Sequence, residues 1–157
     1  MPAILITGCS SGFGLETARQ AVDLLAAQGS FVPVEGEPDV DLAALLPKGW
    51  ELWLDGGHNA GAGEALAAQL PNAADYDTVY VGFPIWWYVA PTIVNTFLES
   101  IDLSGKTVVP FATSGGSGMG KTNEHLAPSC RGAKLLNGKV FKRGVSKEEL
   151  AAWAESL

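Results

Sequence analysis

Short runs of β-branched and apolar residues recur along the chain with helix-period segments between them, and few architectures accept that alternation. A strand covered by helices on both faces is apolar nearly throughout, and strands joined by helical crossovers lie parallel. Six strands are expected, near Ala3–Thr7, Ser30–Glu35, Glu51–Leu54, Thr78–Phe83, Thr107–Thr113 and Ala133–Leu136 or a little beyond. The fold class this predicts is α/β: a three-layer, doubly wound parallel sheet of five or six strands. Two units running outward from the first strand, then three on its other side, give the order 3-2-1-4-5-6, with the ligand crevice between strands one and four.

The intervening segments have the period of buried helices. Leu15, Ala18, Val22 and Leu25 share one side of a helix that stops before Gly29. Pro91 opens another, in the first turn where its missing amide is harmless, and Ile93, Val94, Phe97, Leu98 and Ile101 form its buried stripe. Ser146 with Glu149 three residues later is a capping box ahead of Leu150 and Trp153. The Ala-rich stretch Gly61–Gln69 suits any solvent-facing helix. Gly36–Asp39 and Pro47–Gly49 are too short to link domains, so residues 1–157 are expected to form one domain.

Composition narrows the partners. Seventeen acidic against ten basic residues leave a net charge of −7, a field that repels nucleic acid. At 157 residues a domain buries roughly two thirds of its unfolded surface without a disulfide or structural metal. Cys9 and Cys130 set no disulfide framework and no zinc spacing is present, which fits a reducing cytoplasm. The first residues carry no positive charge ahead of their apolar stretch and read as a strand rather than a secretory signal. The longest apolar run, Val79–Pro91, contains Gly82 and Pro84 and is shorter than the ~20 residues of a membrane helix.

Three segments carry candidate chemistry. The first is Thr7-Gly8-Cys9-Ser10-Ser11-Gly12-Phe13-Gly14, between a strand and a helix, where glycines let the backbone approach an anion and the helix start favours phosphate. The second is Gly82-Phe83-Pro84-Ile85-Trp86-Trp87-Tyr88, and the third Thr113-Ser114-Gly115-Gly116-Ser117-Gly118, each at a strand's end. In an open parallel sheet ligands bind beyond the carboxyl ends of the strands, so the three loops would face one crevice. Trp86, Trp87 and Tyr88 would supply rigid apolar faces for a flat aromatic ligand, and the third loop the polar contacts of its rim. Paired tryptophans also serve as core or interface anchors, and glycine turns often bind nothing.

These segments resemble known families. Ile4–Gln20 resembles the opening of short-chain dehydrogenases, whose T-G-x-x-x-G-x-G pattern is met by Thr7, Gly8, Gly12 and Gly14. That resemblance implies NAD or NADP, with Glu35 or Glu37 accepting from a ribose hydroxyl. The family's catalytic Tyr with Lys four residues later has no counterpart, since neither Tyr76, Tyr80 nor Tyr88 is so followed. Trp53–Asn59 resembles part of the ATP-binding folylpolyglutamate synthetases, without any phosphate loop, and His58 reads as a loop residue. Tyr76–Phe141 resembles the carboxy-terminal half of the flavodoxin-like family. The matching residues, in order, are Asp75-Tyr76-Asp77, Gly82-Phe83-Pro84-Ile85-Trp86-Trp87, Asn95-Thr96-Phe97-Leu98-Glu99, Ser104-Gly105-Lys106-Thr107 and Pro110 through Gly118.

The flavodoxin resemblance implies FMN held by three loops. Cys9, Ser10, Ser11, Gly12, Phe13 and Gly14 would hold the phosphate, Pro84, Ile85, Trp86, Trp87 and Tyr88 would flank the ring, and Thr113, Ser114, Gly115, Gly116 and Gly118 would meet its rim. The family's S-x-T-G-N-T is here Cys9-Ser10-Ser11-Gly12-Phe13-Gly14, and losing the last Thr hydroxyl weakens FMN about ten-fold or more. Cys9, at a helix start that lowers a thiol's pKa, reads as a small residue rather than a reactive one. The implied activity is electron transfer or flavin-dependent oxidoreduction from a reduced partner or nicotinamide to a quinone-like acceptor, with no metal and no catalytic side chain. Two other readings stay open. One is a dinucleotide-binding Rossmann domain using the first loop alone. The other is a recombined or designed scaffold without ligand, because three segments resemble three families.

Overall fold

A computed structural model of the chain describes residues 2–7, 51–55, 64, 67–68, 75–142 and 145–157. The strands in them are β1 (Pro2–Thr7), β2 (Glu51–Asp55), β3 (Thr78–Pro84), β4 (Thr107–Thr113), β5 (Lys134–Leu135) and β6 (Lys139–Phe141). The helices are α1 (Thr92–Glu99), α2 (Thr122–Leu126) with a 3-10 turn at Ala127–Ser129, and α3 (Lys147–Glu155). The predicted strand at Ser30–Glu35 and the helix ending before Gly29 lie outside the described residues, as does most of the Ala-rich stretch 61–69.

All strand pairs are parallel and run β2-β1-β3-β4-β5, with β6 also on β4. This corrects the expected order. β2 pairs directly with β1, from Ala3 opposite Glu51 to Thr7 opposite Asp55, so no strand stands between them. β3 lies on the other side of β1, with Pro2 opposite Thr78 and Ile6 opposite Gly82. The chain therefore reverses its direction of winding between β1 and β3, which is where a doubly wound sheet opens its crevice.

β3 and β4 are buried along six of their seven residues, as strands covered on both faces must be. On one face Val79, Val81, Phe83, Val108 and Ala112 pack with Ile93, Val94, Phe97 and Leu98 of α1 and with Leu126 and Cys130. The predicted helical stripe is thus the buried one, with Ile101 packed at its margin. On the other face Tyr80, Phe111 and Phe141 meet Trp153 of α3, at ring separations of 6.4, 6.4 and 5.0 Å. Gly82 makes room for this aromatic layer: a Cβ there would stand 2.4 Å from Phe111 Cζ. Ser146 caps α3 by accepting the Glu149 N–H at 3.1 Å, as the capping box predicts.

The edge strand, expected as one piece near Ala133–Leu136, is two. From the Val108–Leu135 pair to the Phe111–Lys139 pair the chain advances three residues on β4 and four on the edge, which is a bulge of one residue. Pro110 lies inside this gap and has no N–H to offer a ladder. Asn123 serves the interrupted backbone instead, donating from Nδ2 to Leu136 O at 2.8 Å while its Oδ1 accepts from Gly138 N–H at 3.4 Å. None of the helices in the described residues is long and apolar enough to cross a membrane.

Candidate functional site

The crevice edge is built by the segments leaving β3 and β4. β3 ends at Pro84, opposite Thr113 at the end of β4, and both are buried. Ile85, partly buried against the core, continues the sheet by donating its N–H to Thr113 O at 2.9 Å. The chain then reverses in two residues. Trp86 N–H donates to Val89 O at 2.9 Å and Val89 N–H to Trp86 O at 3.0 Å, with Trp87 at φ 51 and Tyr88 at φ 69 between them. Two consecutive positive φ values mark the I′ form of a two-residue hairpin turn, which favours Asn and Gly. Here an indole and a phenol occupy it, at about 1–2 kcal/mol of backbone strain each.

The strain holds three aromatic rings away from the core. Trp86 is 41% exposed, Trp87 93% and Tyr88 65%. These are three of the four large hydrophobic side chains exposed among the described residues, and they are consecutive. An apolar cluster left in water gives up the burial that would stabilise it, so it marks a surface kept for a ligand or partner.

The segment after β4 is shaped by Ser114. Its Oγ accepts the N–H groups of Gly116 at 3.1 Å and Ser117 at 2.8 Å and shares a 2.7 Å hydrogen bond with Ser117 Oγ. The hydroxyl thus works within the loop, and Gly115, Gly116 and Gly118 are presented at the surface. The same segment reaches the aromatic turn: Lys121 N–H donates to Tyr88 O at 2.9 Å. Two of the three predicted loops are therefore tied by backbone hydrogen bonds. The third, Cys9, Ser10, Ser11, Gly12, Phe13 and Gly14, lies outside the described residues, although β1 delivers the chain to this edge at Thr7.

The shifted ionisable groups lie elsewhere. Burial raises the Tyr80 hydroxyl under the aromatic layer and pushes the Cys130 thiol, on the α1 face, up to about 11. The Ser104 backbone N–H, 2.9 Å from Asp102 Oδ1, and the Ser104 hydroxyl hold the Asp102 carboxyl below its ordinary value, in the turn before β4. At the crevice edge the described residues thus offer aromatic faces, backbone groups and hydroxyls, which suits a cofactor that brings its own chemistry.

A family model described as flavodoxin matches residues 58–157. The chain belongs to the flavodoxin family. The match contains both tied loops and stops short of residues 4–20, where the dehydrogenase-like pattern stands. No curated protein matches the chain. Among solved structures, a Bacteroides uniformis protein assigned as a flavoprotein is 31% identical, with 99% of this chain and 96% of that one covered and a TM-score of 0.62. A second such protein, from Bacteroides eggerthii, is 28% identical over the same shares, with a TM-score of 0.64. A flavoprotein of Lactobacillus acidophilus in complex with FMN shares the fold at 18% identity, covering 98% and 97%, with a TM-score of 0.57.

Within this flavodoxin the described fold also brings to the candidate site residues that sequence reasoning does not assign to a ligand. Ser117, inside the third segment but given no role there, closes the hydroxyl pair with Ser114, and Gly120 and Lys121, beyond that segment, bring the loop against the turn. A further glycine two residues after Gly118, just ahead of a helix start, was the available signal.

Proposed function

We propose that this flavodoxin binds FMN in the crevice at the carboxyl ends of β1, β3 and β4 and works as an electron-transfer or oxidoreductase domain. The observation that carries the reading is the strained 86–89 turn, which spends backbone energy to hold three aromatic rings in solvent beside the switch point. The residues present fit a flavin: exposed apolar faces for its ring, and a serine- and glycine-bearing loop for its rim. The FMN-bound Lactobacillus protein of the same fold supports this choice of ligand.

In this reading Trp86, Trp87 and Tyr88 exclude water from the ring, and residues 113–118 meet its polar edge. Ser10, Ser11, Gly12 and Gly14 hold the phosphate, with fewer hydroxyls than a loop ending in Thr. When bound, the flavin supplies the redox chemistry, between a reduced partner or nicotinamide and a quinone-like acceptor. The chain's own contribution is position and field, and the net charge of −7 disfavours added negative charge at the site.

Thermal unfolding with and without ligand tests the reading. FMN is expected to raise the Tm, and NAD(H) at the same concentration to leave it unchanged. A shift with NAD(H) alone returns the dinucleotide reading, and no shift with either returns a scaffold without ligand.

A further inference from the structure

We propose that Gly120 is a positioning residue that locks the aromatic turn to the loop after β4, so that these two walls of the flavin slot keep their spacing before a ligand arrives. The inference rests on the flavin reading above. Gly120 takes φ +56, and a Cβ there would stand 2.4 Å from Tyr88 O and 2.9 Å from Tyr88 Cβ. The next residue, Lys121, donates its N–H to that same Tyr88 oxygen at 2.9 Å. A side chain at 120 therefore pushes the carbonyl away from the donor that holds it. At the other end of the turn Ile85 N–H is bonded to Thr113 O at 2.9 Å. The segment 113–121 thus grips the turn at both ends.

The grip has a physical purpose. Trp87 and Tyr88 stay at positive φ only while surrounding contacts over-determine them. Freed at Tyr88 O, the turn relaxes toward negative φ and redirects its rings, and the order lost must be restored when a ligand binds. A glycine is required on both counts, for the left-handed backbone and for the close approach.

Gly105 supplies the control. It has the same backbone sign, φ +74, in the turn before β4, and a Cβ there meets nothing within 4 Å. Gly120→Ala and Gly105→Ala therefore share the conformational penalty and differ in the contact with Tyr88. Gly120→Asn and Gly105→Asn repeat the comparison with a residue that tolerates this conformation, should an alanine variant fold poorly.

The readouts are FMN affinity and, in the FMN-free protein, hydrogen exchange of the Lys121 amide. Both Gly120 variants are expected to weaken FMN about ten-fold, roughly one lost contact, and to speed Lys121 exchange about ten-fold or more. The Gly105 variants are expected to match the parent in both. Unchanged FMN affinity in the Gly120 variants overturns the positioning role, and unchanged Lys121 exchange overturns the grip itself. Parent protein that takes up no FMN overturns the flavin reading and Gly120's role toward the ligand, while the exchange rate separately decides whether the grip exists.

Discussion

Trp153 and Trp87 carry the same side chain under opposite conditions. Trp153 lies against Tyr80, Phe111 and Phe141, closing the second face of the sheet at ring separations of 5.0 to 6.4 Å. Trp87 stands 93% exposed at the tip of a turn whose backbone it strains. Partial burial and three ring contacts, two of them edge-on, account for the first indole. The free fold gains nothing comparable from the second, which costs it both water-exposed apolar surface and an unfavourable φ. Side chains that stabilise a fold and side chains that a fold holds ready for use are thus separated by backbone conformation and exposure, not by residue type.

The contrast is broken most forcefully by removing the packed, half-buried member. Trp153→Ala should destabilise the protein by about 3 kcal/mol, seen as a drop of roughly 10 °C in Tm, with FMN affinity kept within about two-fold below the transition. Coupled loss of FMN affinity in the folded variant would make Trp153 part of the site and erase the distinction. Trp87→Gly should do the reverse. Relief of the positive φ is expected to raise stability by about 1 kcal/mol, or roughly 2–4 °C in Tm, while FMN binding falls about ten-fold. A fall in Tm would show that the exposed indole supports the fold after all.

A smaller effect sharpens the same boundary between packed interior and open site. Cys130 is buried among α1-face residues and its thiol is pushed from 9.0 to about 11. Because the folded value is raised, the stability it contributes is present below pH 9 and is lost as pH rises toward 11. In a Cys9→Ser background, Cys130 should resist a water-soluble thiol reagent at pH 8, and an alkaline unfolding series should weaken across that window relative to Cys130→Ala. Rapid labelling of native protein at pH 8 would place the thiol outside the packed core.

Legibility followed range. The β3, α1 and β4 unit was readable because its signals are local: two continuous apolar runs, a Pro that falls at the N-cap, one residue ahead of the first turn expected for it, and a stripe at helical spacing. The cap at Ser146 was readable for the same reason. Strand order was not, because whether Glu51–Asp55 sits beside β1 is decided by pairing across the sheet and by no feature of those five residues. The bulge in the edge strand depends on Pro110, which belongs to the neighbouring strand, and on Asn123 from α2. The residue types of 84–88 and 113–118 raised the expectation of a flat-ligand slot, yet neither the I′ turn at Trp87 and Tyr88 nor the approach of Gly120 to Tyr88 was visible in them. Asn and Gly are the residues that advertise such a turn, and neither is there.

Titration of the purified protein with FMN, followed by tryptophan fluorescence, tests whether the exposed aromatic turn is a flavin wall. Saturable quenching at one FMN per chain is expected, reduced in amplitude in Trp87→Gly and unaltered by an equal concentration of NAD(H). Fluorescence that FMN leaves unchanged, or quenching of equal amplitude in Trp87→Gly, would contradict it.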